Sequence, residues 1–192
     1  MSEDIYTPGD WIVHAHYGVG QVKGKDKRTL DGKKQTFLRV KTFSGEYFLP
    51  IQQWNVPHIR PLCSEYQFKK ALTIIKKTPE PLPKDYKKRN KKIVKAASDI
   101  SIYTRAKIIR DLNGRRRAGK LNLNEKDSFE TIKDQFLIEW SVVTGRDKEE
   151  LRTRLDTALQ NSFKKLINVK DKSWLEKVRK GVKAKRKPQN IS

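Results

Sequence analysis

Cysteine is almost absent from this 192-residue chain: Cys63 is the single one. One thiol can form neither an intrachain disulfide nor a cysteine-based zinc cluster, and it suits a reducing compartment. Histidine is nearly as scarce, at three residues. His14 and His16 stand two apart, which places them on one face of a strand, and His58 is left as the sole further candidate. Two ligands do not make a metal site, so the pair is expected on a solvated strand surface and no cofactor is called for. No apolar run approaches the length of a membrane span. The opening Met-Ser-Glu-Asp is acidic and carries no apolar stretch, so no signal peptide is expected. These absences point to a cytoplasmic protein without a membrane partner, with anionic lipid left open for the C-terminal tail alone.

Acid is the other shortage. The chain holds 44 Lys and Arg against 22 Asp and Glu, a net charge of +22 with pI near 10.1. A charge of that size costs self-repulsion in the folded state and is most simply matched by an anionic partner. It is also uneven. Residues 69–95 carry 11 basic and 2 acidic residues, and residues 161–192 carry 11 and 2 again, while the rest is nearly balanced. Two basic islands on a balanced scaffold favour a directed contact over general solubility.

Up to about residue 62 the apolar period is two. Trp11–His16, Gly20–Lys25, Thr36–Lys41 and Glu46–Pro50 read as strands. Asp31-Gly32 signals a hairpin turn, because type I′ turns need positive φ, and Ser44-Gly45 marks the next turn. Pro8-Gly9-Asp10 opens this module and Val56-Pro57 helps to close it. Four or five short strands in so few residues imply a small, strongly bent sheet or barrel.

From about residue 64 the period becomes helical. A first helix runs through Tyr66, Phe68, Ala71, Leu72 and Ile75 to near Lys77. Pro79, Pro81 and Pro83 then forbid a regular helix, since proline fixes φ and donates no hydrogen bond. A second helix spans Asp85–Ala97, with Ser98-Asp99 as the expected cap of a third over Ser101–Arg117. Asn122 or Asn124 caps a fourth that ends at Gly145. Asp147 with Glu150 starts a fifth that continues to about Lys165. The predicted class is therefore α+β: a bent β module over 1–63, a compact all-helical domain over 64–160, and a basic tail over 161–192. In that tail Phe163, Leu166, Ile167, Trp174, Leu175 and Val178 outline one further amphipathic helix.

Chemistry-bearing motifs are few. Gly114-Arg-Arg-Arg-Ala-Gly119-Lys120 matches G-x-x-x-x-G-K, but a phosphate-binding loop needs Ser or Thr next and a strand before it. Leu121 follows and a helix precedes, so nucleotide binding is rejected. Arg115, Arg116 and Arg117 instead form a basic turn at a helix end, where cations favour the dipole and can also reach phosphates. Tyr86 stands at the mouth of Lys87, Lys88, Arg89, Lys91 and Lys92. Two readings stay open for this stretch. One is a solvated basic helix with a packed tyrosine. The other is a cationic surface with one flat ring that stacks on or wedges into a polyanion.

Pro8-Gly9-Asp10, Ile12-Val13-His14-Ala15-His16-Tyr17-Gly18-Val19-Gly20, the Asp31-Gly32 turn, Phe37–Lys41 and Phe48-Leu49-Pro50 follow one another as in the CarD family. The first module resembles the RNA polymerase-interacting domain that this family shares with the transcription-repair coupling factor, a Tudor-like bent sheet. Ile108-Ile109-Arg110-Asp111-Leu112, Gly119-Lys120-Leu121 and Asn124-Glu125-Lys126 extend the likeness through about residue 160. The resemblance implies docking on the β subunit of bacterial RNA polymerase through an edge strand, here Glu46, Tyr47, Phe48 and Leu49, and through basic side chains. Arg28 matches one such basic position; at the second, Phe48 replaces an arginine. It also implies that Tyr86 stands where the family carries a DNA-wedging tryptophan, at the upstream edge of the melted promoter. Lys87, Lys88, Arg89, Lys91, Lys92 and Arg115, Arg116 and Arg117 would then hold phosphates without sequence preference. The expectation is a non-enzymatic, nucleoid-associated, monomeric regulator that stabilises the open promoter complex. The alternative is a general nucleic-acid or ribosome-associated binding protein, which composition supports equally well.

Overall fold

The computed structural model describes residues 6–30, 32–50 and 58–168. Its class is α+β: among the described residues a five-stranded antiparallel sheet is followed by five helices. The strands are β1 (Trp11–His14), β2 (Gly18–Leu30), β3 (Lys33–Thr42), β4 (Glu46–Pro50) and β5 (Ile59–Pro61), in the spatial order β4-β3-β2-β1-β5. Leu30 pairs with Lys33, so the β2–β3 connection is the two-residue turn expected, with Gly32 at φ +75° and Asp31 outside the described residues. Alternation places Val22, Leu38, Val40, Tyr47 and Leu49 on one face, where they bury with Ile12. Gly20 allows the close crossing of β2 on β3: a β-carbon there would lie 2.6 Å from Val40 Cγ1.

Several strand bounds differ from expectation. β1 stops at His14 because the His14 ring accepts hydrogen bonds from the backbone N–H of His16 (3.1 Å) and Tyr17 (3.3 Å), which turns the chain. His14 is accordingly buried rather than on a solvated surface. The expected count of four or five strands left a fifth unplaced; it is β5, three residues long and too short to show a period, and it pairs with β1. Val56-Pro57 lies outside the described residues.

The helices are α1 (Glu65–Ile75), α2 (Tyr86–Ser98), α3 (Ile102–Arg117), α4 (Leu123–Thr144) and α5 (Lys148–Asn168). Ser64 and Gln67 form a capping box on α1, Asn122 and Glu125 another on α4. Gly145 ends α4 in the left-handed region, as its place in the sequence predicts. The cap of α3 is Ser101 rather than Ser98-Asp99; α2 keeps Ser98, and the Asp99 carboxylate accepts from the Ser101 N–H at 2.7 Å. α5 continues past residue 160, so Phe163, Leu166 and Ile167 extend it instead of founding a new helix. The rest of the predicted tail helix lies outside the described residues. Phe68, Phe136 and Trp140 pack with centroids 5.3 to 6.2 Å apart in a core separate from that of the sheet. Each such buried side chain contributes about 1.5–3 kcal/mol.

Candidate partner-binding surfaces

The proline-rich segment is a strap held to α3 at Pro79 and Glu80 and to α2 at Pro83 and Lys84. Pro79 is buried against Gly114, where even a β-carbon would stand 2.6 Å from the Pro79 side chain. The Glu80 N–H donates to Asp111 Oδ1 at 2.9 Å, and the Glu80 carboxylate meets Arg110 Nη2 at 2.8 Å. Arg110 Nε also donates to Asp111 at 2.8 Å. Burial pushes the Asp111 carboxyl above its usual range, and the bonds from Arg110 and the Glu80 N–H offset only part of that. The strap ends at Asp85, whose carboxylate caps α2 by accepting the Lys88 N–H at 2.8 Å.

This brings Tyr86 to the first position of α2, 45% exposed. Arg89, Ile93 and Ala96 recur at helical spacing and form the buried face of α2. Lys87, Lys88, Lys91, Lys92 and Lys95 occupy the remaining surface and are exposed. Arg89 thus departs from its predicted role. The residue is 6% exposed; its guanidinium donates from Nε to Glu125 and from Nη1 to the carbonyls of Pro83 (2.9 Å) and Lys84 (2.8 Å), and lies 5.8 Å from the Tyr86 ring. With Nε and Nη1 engaged inside the fold, this arginine braces the tip from behind.

Glu125 is the counterpart of that brace. Its second oxygen accepts from Arg115 Nε (3.0 Å) and from the Asn122 N–H (3.3 Å). Burial would raise its pKa, but the Arg89 and Arg115 hydrogen bonds outweigh burial and hold it below the usual glutamate range. Arg115 is therefore half-buried and engaged inside the fold. Arg116 donates to Asn113 at 3.0 Å and lies 4.9 Å from the Phe129 ring. Arg117 is the exposed member of the trio, 5.8 Å from the Phe163 ring. Sequence reading treated the three as one basic turn; the helix separates them. It also passed over Lys84, exposed just before the tip, Lys95, exposed in the last turn of α2, and Leu123, 72% exposed at the start of α4 beside the Asn122–Glu125 capping box. Lys84 and Lys95 lie within the basic island that composition marked; an exposed leucine leaves no sequence signal.

At the other end of the chain, β4 is an outer strand of the sheet, with one backbone edge unpaired by β3. Within it Tyr47 and Leu49 point into the sheet core, while Glu46 is exposed and Phe48 half-buried. Tyr47 and Leu49 can thus serve a partner through their backbone, not their side chains. Burial, with a smaller contribution from Tyr17, pushes the Tyr47 hydroxyl above its usual range. The Arg28 guanidinium lies over the Phe48 ring at 3.2 Å and 3.4 Å from Asp26, and both side chains of the Arg28–Asp26 pair are nearly half exposed. The two positions singled out from sequence, Arg28 and Phe48, form one surface.

Among the described residues no group of three or more His, Cys, Asp or Glu is arranged to hold a metal ion, and no helix is long and apolar enough to cross a membrane. Two family models match the chain. One, described as the CarD-like/TRCF RID domain, covers residues 6–63, which is the sheet module. The other, described as the CarD C-terminal domain, covers residues 70–156, most of the helical module.

Proposed function

The chain belongs to the CarD-like family of transcription regulators and carries its RNA polymerase-interacting domain, and from that premise we propose that it docks on the polymerase β subunit and stabilises the open promoter complex by holding DNA at the upstream edge of the bubble. The observation that carries this reading is the tip of α2: an exposed Tyr86 on a braced helix start, among exposed Lys87, Lys88, Lys91 and Lys92. A flat ring within a cationic rim suits a minor-groove wedge, where unstacking costs a few kcal/mol and phosphate contacts repay it. The edge of β4, with Arg28 and Phe48 beside it, is the surface for the β subunit. The lysines read no sequence, and none is needed, because polymerase already selects the site.

The mechanism is differential binding. If the protein holds the open complex more tightly than the closed one, it shifts the equilibrium by that difference; about 1.4 kcal/mol is a tenfold change when the open state is rare. No reaction is catalysed in this scheme. The protein acts in the cytoplasm at the nucleoid as a monomer.

The test is the lifetime of open complexes challenged with competitor DNA. Tyr86→Ala is expected to shorten the protein-dependent lifetime severalfold with unchanged polymerase binding. An unchanged lifetime would overturn the wedge. Equal effects on naked DNA, with no polymerase contact, would favour a general nucleic-acid binder.

A further inference from the structure

The sheet and the helices do not share one apolar core: the buried cluster around Val22 and Leu38 is distinct from the one around Phe68 and Trp140. Between the β1–β2 and β3–β4 turns and helices α4 and α5 lies a cleft of about 930 Å³, with Tyr17, Phe43 and Glu46 on one wall and Asp134, Gln135 and Lys148 on the other. Modules joined by a short connection and no common core are expected to move relative to one another. One polar joint opposes that motion. Arg60 of β5 forms a two-pronged pair with Glu139 of α4, Nη1 to Oε1 at 2.6 Å and Nη2 to Oε2 at 2.8 Å. Its Nε donates to the Ile100 carbonyl between α2 and α3 at 2.6 Å. Glu139 is fully buried and also accepts the Cys63 N–H at 3.0 Å. Arg105, equally buried, adds its positive field, though Nη1 and Nη2 make no hydrogen bond among the described residues.

We infer that the Arg60–Glu139 fork is the positioning joint that fixes the polymerase-docking sheet relative to the Tyr86 tip. This rests on the function proposed above, where the sheet holds polymerase and the tip holds DNA. A wedge is useful only if docking places it at the fork of the bubble. Ion pairs of this kind fix orientation: a planar guanidinium bonded on both prongs and at Nε has one geometry, whereas an apolar contact would slide. Glu139 stands one helical turn after Gln135, which faces Gly18 across the same side of α4. The sheet is thus seated on α4 at two points one turn apart. With the joint broken, both surfaces persist, but the wedge becomes tethered through the segment around Leu62, and its effective concentration at the groove falls.

The test is carried out on the full chain. Spin labels at Lys41→Cys on β3 and Thr157→Cys on α5 report the distance between modules; both positions are exposed. Cys63 is buried and its thiol is pushed up to about 12, chiefly by burial, so it stays unlabelled at neutral pH. We expect one narrow distance distribution in the parent and a broad one in Arg60→Ala. Glu139→Gln keeps the side-chain shape and is the milder variant, with intermediate broadening. Both variants should hold polymerase and duplex DNA separately as the parent does, while protein-dependent open-complex lifetime falls at least fivefold in Arg60→Ala. Narrow distributions in both folded variants would overturn the joint. A broad distribution with an undiminished lifetime would overturn its role in positioning. A parent protein that binds polymerase but leaves the lifetime unchanged would overturn the proposed function instead, and the distance measurement judges the joint without it.

Discussion

At the scale of single residues, burial decides which charges serve a partner. Tyr86 and Arg89 are three apart on α2, and the sequence assigns both to DNA. The fold exposes the ring and buries the guanidinium against Glu125. His14 carries a second consequence of burial. It lies among Tyr17, Tyr47 and His16, and desolvation, then the charges of His16 and His58, lower its pKa from 6.5 to about 4. Its folded pKa lies below its unfolded value, so the unfolded chain binds the extra proton. Stability is therefore greatest above pH 6.5, falls as pH drops toward about 4, and levels off below that. Urea titrations between pH 7 and 4.5 should show a loss on the order of 2 kcal/mol. His14→Asn, which keeps an acceptor for the two backbone N–H groups, should flatten that part of the curve.

At the scale of elements, the strap and α2 work as one part. The strap is pinned where Pro79 meets Gly114, and no side chain fits between them. Gly114→Ala is expected to lift the strap, costing about 1–3 kcal/mol of stability by overpacking. The same variant should also reduce the protein-dependent open-complex lifetime, because the strap sets where Tyr86 stands; thermal melts alongside the lifetime assay separate the two effects. The exposed lysines of α2 make a different prediction. Replacing Lys87, Lys88, Lys91 and Lys92 with Gln should flatten the dependence of log K on log salt by about 0.9 for each lost phosphate contact, with equal weakening on unrelated sequences. A slope that does not change would show that these lysines only solvate the helix. Element boundaries were legible where a cap was read from the sequence, as at Asn122 and Gly145. They were misplaced at Ser98-Asp99, where serine and aspartate serve α2 and the following turn, and Ser101 does the capping.

At the scale of the whole molecule, two surfaces on separate cores must act together. In the proposed function the basic helical module supplies DNA affinity and the sheet supplies recruitment. Arg28→Glu should abolish capture of polymerase by the full-length protein while leaving its affinity for naked duplex within about twofold, since the removed cation lies on the other module. A pull-down with matched gel-shift titrations measures both. The expected pattern follows from the location of Arg28 beside Phe48 at the β4 side of the sheet, 3.2 Å above the ring.

The sequence by itself determined the α+β class, the change of period near residue 64, most helix limits and the two basic islands. These rest on local causes: alternation, capping, proline geometry and charge count, all readable within a few residues. Family membership too was carried by local motifs. Only the tertiary structure decided which arginines are spent inside the protein, that Tyr47 and Leu49 face inward while Phe48 receives Arg28, and that Arg60 reaches Glu139 across 79 positions. Those facts depend on which elements meet, and charge that looks identical along a chain becomes either an exposed contact or a buried brace according to what folds over it.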